Sequence, residues 1–329
     1  MKVWFVGRSR DTGDQLDAFV EKKDDFACWG VDDDYEVEGI LLTPGTQIIM
    51  PPGMLHAVFT IEASVCSGCH YYSWPTMELT LHALVRSVIL CEHINNTEEY
   101  GVQCRQILIR MMCFLHEVMI LGDETHETNA DLPRLTTAED WRVLSSFFCL
   151  IKLLNVVTRS TYCPIKLPNR LAQETNHISL DQNQLSIDER QDMVWARGLI
   201  GQSMPVLSGR YGFDFEADLF DPMLAYYAVY IKTSFESAHP SPNTLFAEPY
   251  VYEMFQQQLQ WVLDSRPAAN DHYRLLSKME RPPQSMKYTD WTPPENFKWK
   301  EGQVCRRKSV DFYYMSGVHH GDILFFSAA

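Results

Sequence analysis

Basic residues are scarce: Lys and Arg number 28 against 43 Asp and Glu, a formal net charge of -15. A phosphate backbone would be repelled by such a surface, so nucleic-acid binding is not expected, whereas a protein partner or protein substrate with a basic tail fits. Long apolar runs are lacking as well. A membrane span needs about 18 apolar residues, and the longest candidate, residues 147–157, is cut by Lys152. No membrane association is expected. Met1-Lys2-Val3-Trp4-Phe5-Val6 runs into Gly7-Arg8-Ser9-Arg10 before a secretory signal could develop. The nine cysteines, odd in number and scattered through apolar segments, fit reduced thiols. A cytoplasmic or nuclear location is expected.

Several chemical fingerprints are also missing. There is no G-x-S-x-G, P-loop or G-x-G-x-x-G, which leaves those hydrolase, nucleotidase and dehydrogenase classes without support. No internal repeat or low-complexity segment occurs. Asp32-Asp33-Asp34 lacks the interleaved ligands and glycine of a calcium loop and reads as a solvated acidic loop. Cys66-Ser67-Gly68-Cys69-His70 has the haem-attachment spacing, but sits in an expected strand rather than before a helix. With no second C-x-x-C, it also lacks a zinc partner. His116-Glu117 and His126-Glu127 have no histidine at i+4 to make a metalloprotease helix.

What the 329 residues do contain is an ordinary globular composition, 46% hydrophobic and 22% charged. Residues 1–75 read as β structure. Short β-branched or aromatic runs at 3–6, 36–43, 47–50, 55–60 and 63–73 are separated by turn formers, most sharply Pro44-Gly45 and Pro51-Pro52-Gly53. Residues 76–280 read as helical. Leu81, Leu84, Val85 and Val88 share one helical face, as do Leu108, Met111, Met112, Leu115 and Met119. Thr136-Thr137-Ala138-Glu139 has capping-box spacing ahead of Leu144, Phe147, Phe148, Ile151 and Leu154. Ser186-Ile187-Asp188-Glu189 opens a fourth helix by the same logic, and further helical patterns cover about 215–235 and 248–263. The Met and aromatic stripes in this region read as core packing. Residues 281–329 form an irregular tail, with strands expected at 310–315 and 323–326 that could join as a hairpin and add to the N-terminal sheet.

The most informative segment runs from Leu42-Thr43-Pro44-Gly45 through Ile48-Ile49-Met50 and Pro51-Pro52-Gly53 to Met54-Leu55-His56. A Pro-Gly turn enters a short apolar strand, a second turn reverses the chain, and a histidine opens the next strand. A rigid sheet holding an imidazole is suited to metal ligation, because ligand geometry must be closely held.

This segment resembles the third-ligand region of JmjC-domain proteins, the iron(II) and 2-oxoglutarate-dependent branch of the cupin superfamily. Lys2-Val3-Trp4 resembles the family's Lys-x-Trp, and residues 63–73 with His70-Tyr71-Tyr72 resemble the strand that follows. The likeness covers residues 1–75. It implies an α+β protein with the C-terminal half of a double-stranded β-helix at its start, then a helical region. It further implies His56 as the distal metal ligand and Lys2 as the anchor for the distal carboxylate of 2-oxoglutarate, in a dioxygenase-like site of the hydroxylase or demethylase class. The family's His-x-Asp/Glu pair should precede the lysine, and here the lysine is second. The resemblance therefore implies a truncated start or a degenerate relative, which alone binds neither Fe(II) nor 2-oxoglutarate productively. As a relic, the chain would act as an interaction module through its helices. The single His-x-Asp, His320-Gly321-Asp322, reads as a Gly-rich turn, or as a substitute pair only in a permuted barrel.

Overall fold

The computed structural model describes residues 1–9, 35–68, 71–90, 101–122, 132–158, 161–162, 187–238, 249–279, 288, 291–295, 297 and 323–324. Within them the protein is α+β, a small antiparallel sheet at the N-terminus followed by seven α-helices.

The N-terminal strands are β1 (Lys2–Ser9), β2 (Tyr35–Leu42), β3 (Gln47–Ile48) and β4 (Leu55–Thr60), of which β1, β2 and β4 form one three-stranded sheet. β1 lies in the middle, antiparallel to β2 on one side and to β4 on the other, while β3 stands apart. Two glycines make the turns possible. Gly45 adopts φ 87° in the Pro-Gly turn after β2, which closes when the Thr46 N–H donates to the Thr43 carbonyl at 3.0 Å. Gly53 adopts φ 72° and lies against α1 (Met77–Leu90), where a side chain on it would meet the Ala83 methyl at 3.4 Å. The Arg86 guanidinium donates to the Gly53 carbonyl at 3.4 Å, so the double-proline turn is docked on this helix.

Residues 63–68 and 71–73, expected as a strand, form none. A strand exists through its partner, and β1 already has both edges paired. The small residues of Ala63-Ser64-Val65-Cys66 also bury little; the Val65 side chain is 99% exposed.

The helices follow the 3.6-residue pattern more faithfully. In α1, Leu81, Val85 and Val88 are buried, with Leu84 partly so; in α2 (Gly101–Leu115) the buried face is Leu108, Met112 and Leu115. α3 (Ala138–Leu153) is the axis of the bundle. Eleven of its residues are buried, so its apolar surface goes all round and it packs against neighbours on every side. Its capping box lies one residue later than expected. Thr137 is the N-cap and accepts from the Asp140 N–H at 3.1 Å, while Asp140 accepts from the Thr137 N–H at 2.8 Å. Aspartate at the third helical position closes the box that the sequence pattern assigned to Glu139.

α4 (Ile187–Tyr211) starts where a fourth helix was expected; Ser186 lies outside the described residues. α5 (Asp221–Ala238) and α6 (Pro249–Asp264) match the remaining two patterns, and α7 (Pro267–Leu276), with proline in its first turn, adds a helix that periodicity did not separate. The core of Met77, Trp141, Phe147, Phe148, Phe215, Phe220 and their neighbours is made by the helices and the loops around them, and among the described residues no strand residue belongs to it. Met and aromatic side chains fill it, as the stripes implied.

At the C-terminal end β5 (Ile323–Leu324) pairs in parallel with β3. The other expected hairpin strand, 310–315, lies outside the described residues, as do Asp32-Asp33-Asp34, Cys69, His70, His126 and His319 to Asp322. Among the described residues no helix is long and apolar enough to cross a membrane.

Candidate functional site

Strand alternation sorts the sheet's side chains onto two faces. Residues directly opposite each other in an antiparallel pair share a face. Lys2, Trp4 and Val6 therefore lie on one face, with Thr60, Val58 and His56 opposite them on β4 and Leu42, Ile40 and Glu38 opposite them on β2. The sequence-derived pair Lys2 and His56 is thus co-facial, four residues apart along the strand direction, or about 13 Å at ~3.3 Å per residue.

His56 is exposed and its ring is oriented from two sides. The imidazole stacks on the Trp4 indole, ring centroids 5.1 Å apart and planes 6° apart. Its Nδ1 lies 3.1 Å from the Met54 carbonyl oxygen, which can only accept, so in the neutral ring Nδ1 carries the proton. Nε2 then holds the lone pair, the state a metal-ligating imidazole adopts when a carbonyl fixes its tautomer. Glu38 shares the row of His56 on the far side of Val6, two strand spacings or about 10 Å away. No sequence signal marked it. Among the described residues no three His, Cys, Asp or Glu side chains group closely enough to hold a metal ion.

The opposite face carries Val3, Phe5, Leu41 and Phe59, in which Leu41 and Phe59 flank Val3 from either side. Phe59 is 62% and Leu41 54% exposed, so this apolar face is largely open.

Two further polar centres lie inside the helical region, and sequence reasoning found neither. Each sits beside a π-helical turn, a distortion that often accompanies function. The first such turn, His116–Ile120, extends α2. There the buried His116 places Nδ1 3.1 Å from the Ser203 hydroxyl, which itself donates to the Leu199 carbonyl at 2.7 Å. Arg210 donates to the Met119 carbonyl of the same turn at 2.6 Å. Burial pushes the His116 pKa down, opposed by the nearby Glu117 carboxylate.

The second π turn, Glu216–Phe220, leads into α5 at Asp221. Asp221 is 2% exposed and accepts from Arg266, whose Nε and Nη2 reach its carboxylate at 2.9, 2.7 and 2.8 Å. Arg266 also meets Glu216 at 2.6 Å and lies over the Phe220 ring. The only sequence sign of this centre was the interruption of an apolar run by Lys152, which approaches the same charges. A separate polar chain joins Glu78, Tyr227 and Ser146: the Tyr227 hydroxyl lies 2.8 Å from the Ser146 hydroxyl and 3.4 Å from the Glu78 carboxylate.

The chain matches no protein-family model, no curated protein and no solved structure.

Proposed function

We propose that the N-terminal sheet is the C-terminal half of a JmjC-type double-stranded β-helix, with His56 facing the metal position and Lys2 facing the distal carboxylate of 2-oxoglutarate. The observation that carries this reading is the common face of Lys2, Trp4 and His56, with the imidazole oriented by stacking and by the Met54 carbonyl. In a complete site, Fe(II) and 2-oxoglutarate would supply oxidative chemistry of the hydroxylase or demethylase class. His56 would ligate through Nε2, and the Lys2 ammonium would hold the co-substrate by a charge-assisted hydrogen bond. With no further metal donor grouped beside His56 among the described residues, this chain by itself is expected neither to hold iron stoichiometrically nor to couple 2-oxoglutarate to succinate.

The second reading, a JmjC-like relic whose helices serve as a protein-interaction module, is favoured by a different observation. Among the described residues the main core cluster contains no strand residue, so the helices pack chiefly on one another.

The deciding experiment is to read the coding sequence upstream of Met1 and express the extended chain. An in-frame His-x-Asp/Glu within about 10–20 codons, the span of a strand and a turn, should give one Fe(II) per chain, lost in His56→Ala. The affinity for 2-oxoglutarate should fall in Lys2→Ala. An extended chain that gains no iron, or whose iron is indifferent to His56→Ala, sinks the oxygenase reading and leaves the interaction module. One iron per chain in the protein as it stands, lost in His56→Ala, would show that its own residues supply the remaining ligands.

A further inference from the structure

Arg197, on α4, is a buried cation with an open fork. It retains 8% exposure, and its Nε and Nη2 have no hydrogen-bond partner among the described residues. The guanidinium carbon lies 4.9 Å from the centroid of the Trp261 ring on α6, and that indole is half exposed. Stacking of this kind engages the face of a guanidinium and leaves its edge unsatisfied. The vacant pair forms one edge, with two parallel N–H vectors that match the two oxygens of a carboxylate or phosphate. Arg266 shows the same fork filled, Nε and Nη2 both on the Asp221 carboxylate.

Among the described residues no acid bonds this edge. Lys152 of α3 is close enough to Arg266 and Arg197 that burial and these two cations push its pKa down to about 8, against the pull of Asp221 and Glu216. Lys152 thus stands among Arg197, Arg266, Asp221 and Glu216, with His272 of α7 also near Asp221. Both carboxylates are engaged by Arg266. A desolvated cation without a counter-charge is unfavourable, and an anion seated beside it removes the penalty.

We propose that Arg197 and Lys152 form a receptor for a single oxyanion group, which sits on the Nε/Nη2 edge with the Lys152 ammonium as second cation and Trp261 as outer wall. The occupant is a carboxylate or a phosphate, free or carried by a small molecule. The site lies in the helical region and does not depend on the oxygenase reading.

The test uses the full chain in Tris-chloride free of other oxyanions, titrated with sodium phosphate and, separately, with sodium acetate at constant ionic strength. Thermal unfolding and tryptophan fluorescence are the readouts. A saturable rise in Tm is expected in at least one arm and not with matched chloride, and the arm that responds identifies the group. The accompanying fluorescence change should vanish in Trp261→Phe. Arg197→Gln should weaken the apparent Kd about tenfold or more, as expected for loss of a bidentate charged contact. Lys152→Gln alters only a half-buried side chain, and it should weaken Kd severalfold; it keeps the test decisive if Arg197→Gln does not fold. Flat titrations in both arms, an equal response to chloride, or an unchanged Kd in Lys152→Gln would overturn the receptor.

Discussion

The indole of Trp4 and the imidazole of His56 lie face to face, 5.1 Å between centroids and 6° between planes. They occupy diagonal positions on neighbouring strands, since Trp4 pairs with Val58 and His56 with Val6, a separation that aromatic side chains bridge. The contact fixes where the imidazole sits on the sheet, so it is the first thing to break. Trp4→Leu keeps an apolar side chain and removes the ring. The expected cost is about 1 kcal/mol of stability, the worth of an aromatic pair. The His56 ring protons should also lose the upfield ring-current shift that the indole imposes in the NMR spectrum. Unmoved His56 signals in the variant would refute the stacking.

His116 and Ser203 form the second relationship open to direct test. Because the Ser203 hydroxyl donates its proton to the Leu199 carbonyl, its oxygen is left to accept from the His116 Nδ1–H. Ser203→Ala strands that donor inside the protein and should cost about 1–3 kcal/mol in urea unfolding, the penalty of a buried unsatisfied polar group. Adding His116→Leu removes the donor as well, and the double variant should lose less than the two single losses added together. A Ser203→Ala midpoint equal to that of wild type would mean the hydrogen bond contributes nothing.

How much of this was legible in the sequence follows from how local each determinant is. β4 was readable because Pro51-Pro52-Gly53 announces its start, and the buried face of α1 because Leu81, Val85 and Val88 repeat at helical spacing. The capping box was legible but misplaced by one residue, since Asp140 and Glu139 can each satisfy its pattern. The common face of Lys2 and His56 depends on the register of β1 against β4, which is a matter of pairing rather than composition. The non-strand at residues 63–68 fails for the same reason: its composition suited a strand, and no partner was present. The π turns were invisible because one wider turn barely disturbs the apolar period. Asp221 and Arg266 are 45 residues apart, so nothing short of tertiary structure brings them together.

Acid should destabilise the protein through its buried histidines. Burial, aided by nearby Arg86, holds His82 down at about 4, and burial lowers His116 as well. Each imidazole therefore binds a proton more readily in the unfolded chain, where its value is about 6.5. Their contribution to stability is complete above that value and is lost as the pH falls toward 4, because the unfolded state takes up protons that the folded state refuses. Urea midpoints should drop between pH 7 and pH 5, and His82→Gln should flatten part of the slope. A variant that retains the full wild-type slope would remove His82 from the explanation.

Lys152 gives the opposite limb of the pH dependence, and its sign is fixed by the same linkage. Burial and the two arginines bring its ammonium down to about 8 in the folded state, against the ordinary lysine value of 10.5. Between those values the unfolded chain binds the extra proton, so the lysine's contribution rises as the pH climbs through this window and is smallest below it. Buried tyrosines oppose the trend, since burial pushes the hydroxyls of Tyr162 and Tyr227 up and makes them costly to ionise. The comparison that isolates the lysine is therefore wild type against Lys152→Met, in buffer without phosphate or carboxylate. At pH 7 the variant should be the more stable, by about 1–2 kcal/mol, because it keeps the aliphatic bulk and drops a poorly compensated charge. By pH 10 the wild-type side chain is largely neutral in the fold and the gap should close. A gap that stays constant from pH 7 to pH 10 would show that packing, not charge, separates the two proteins.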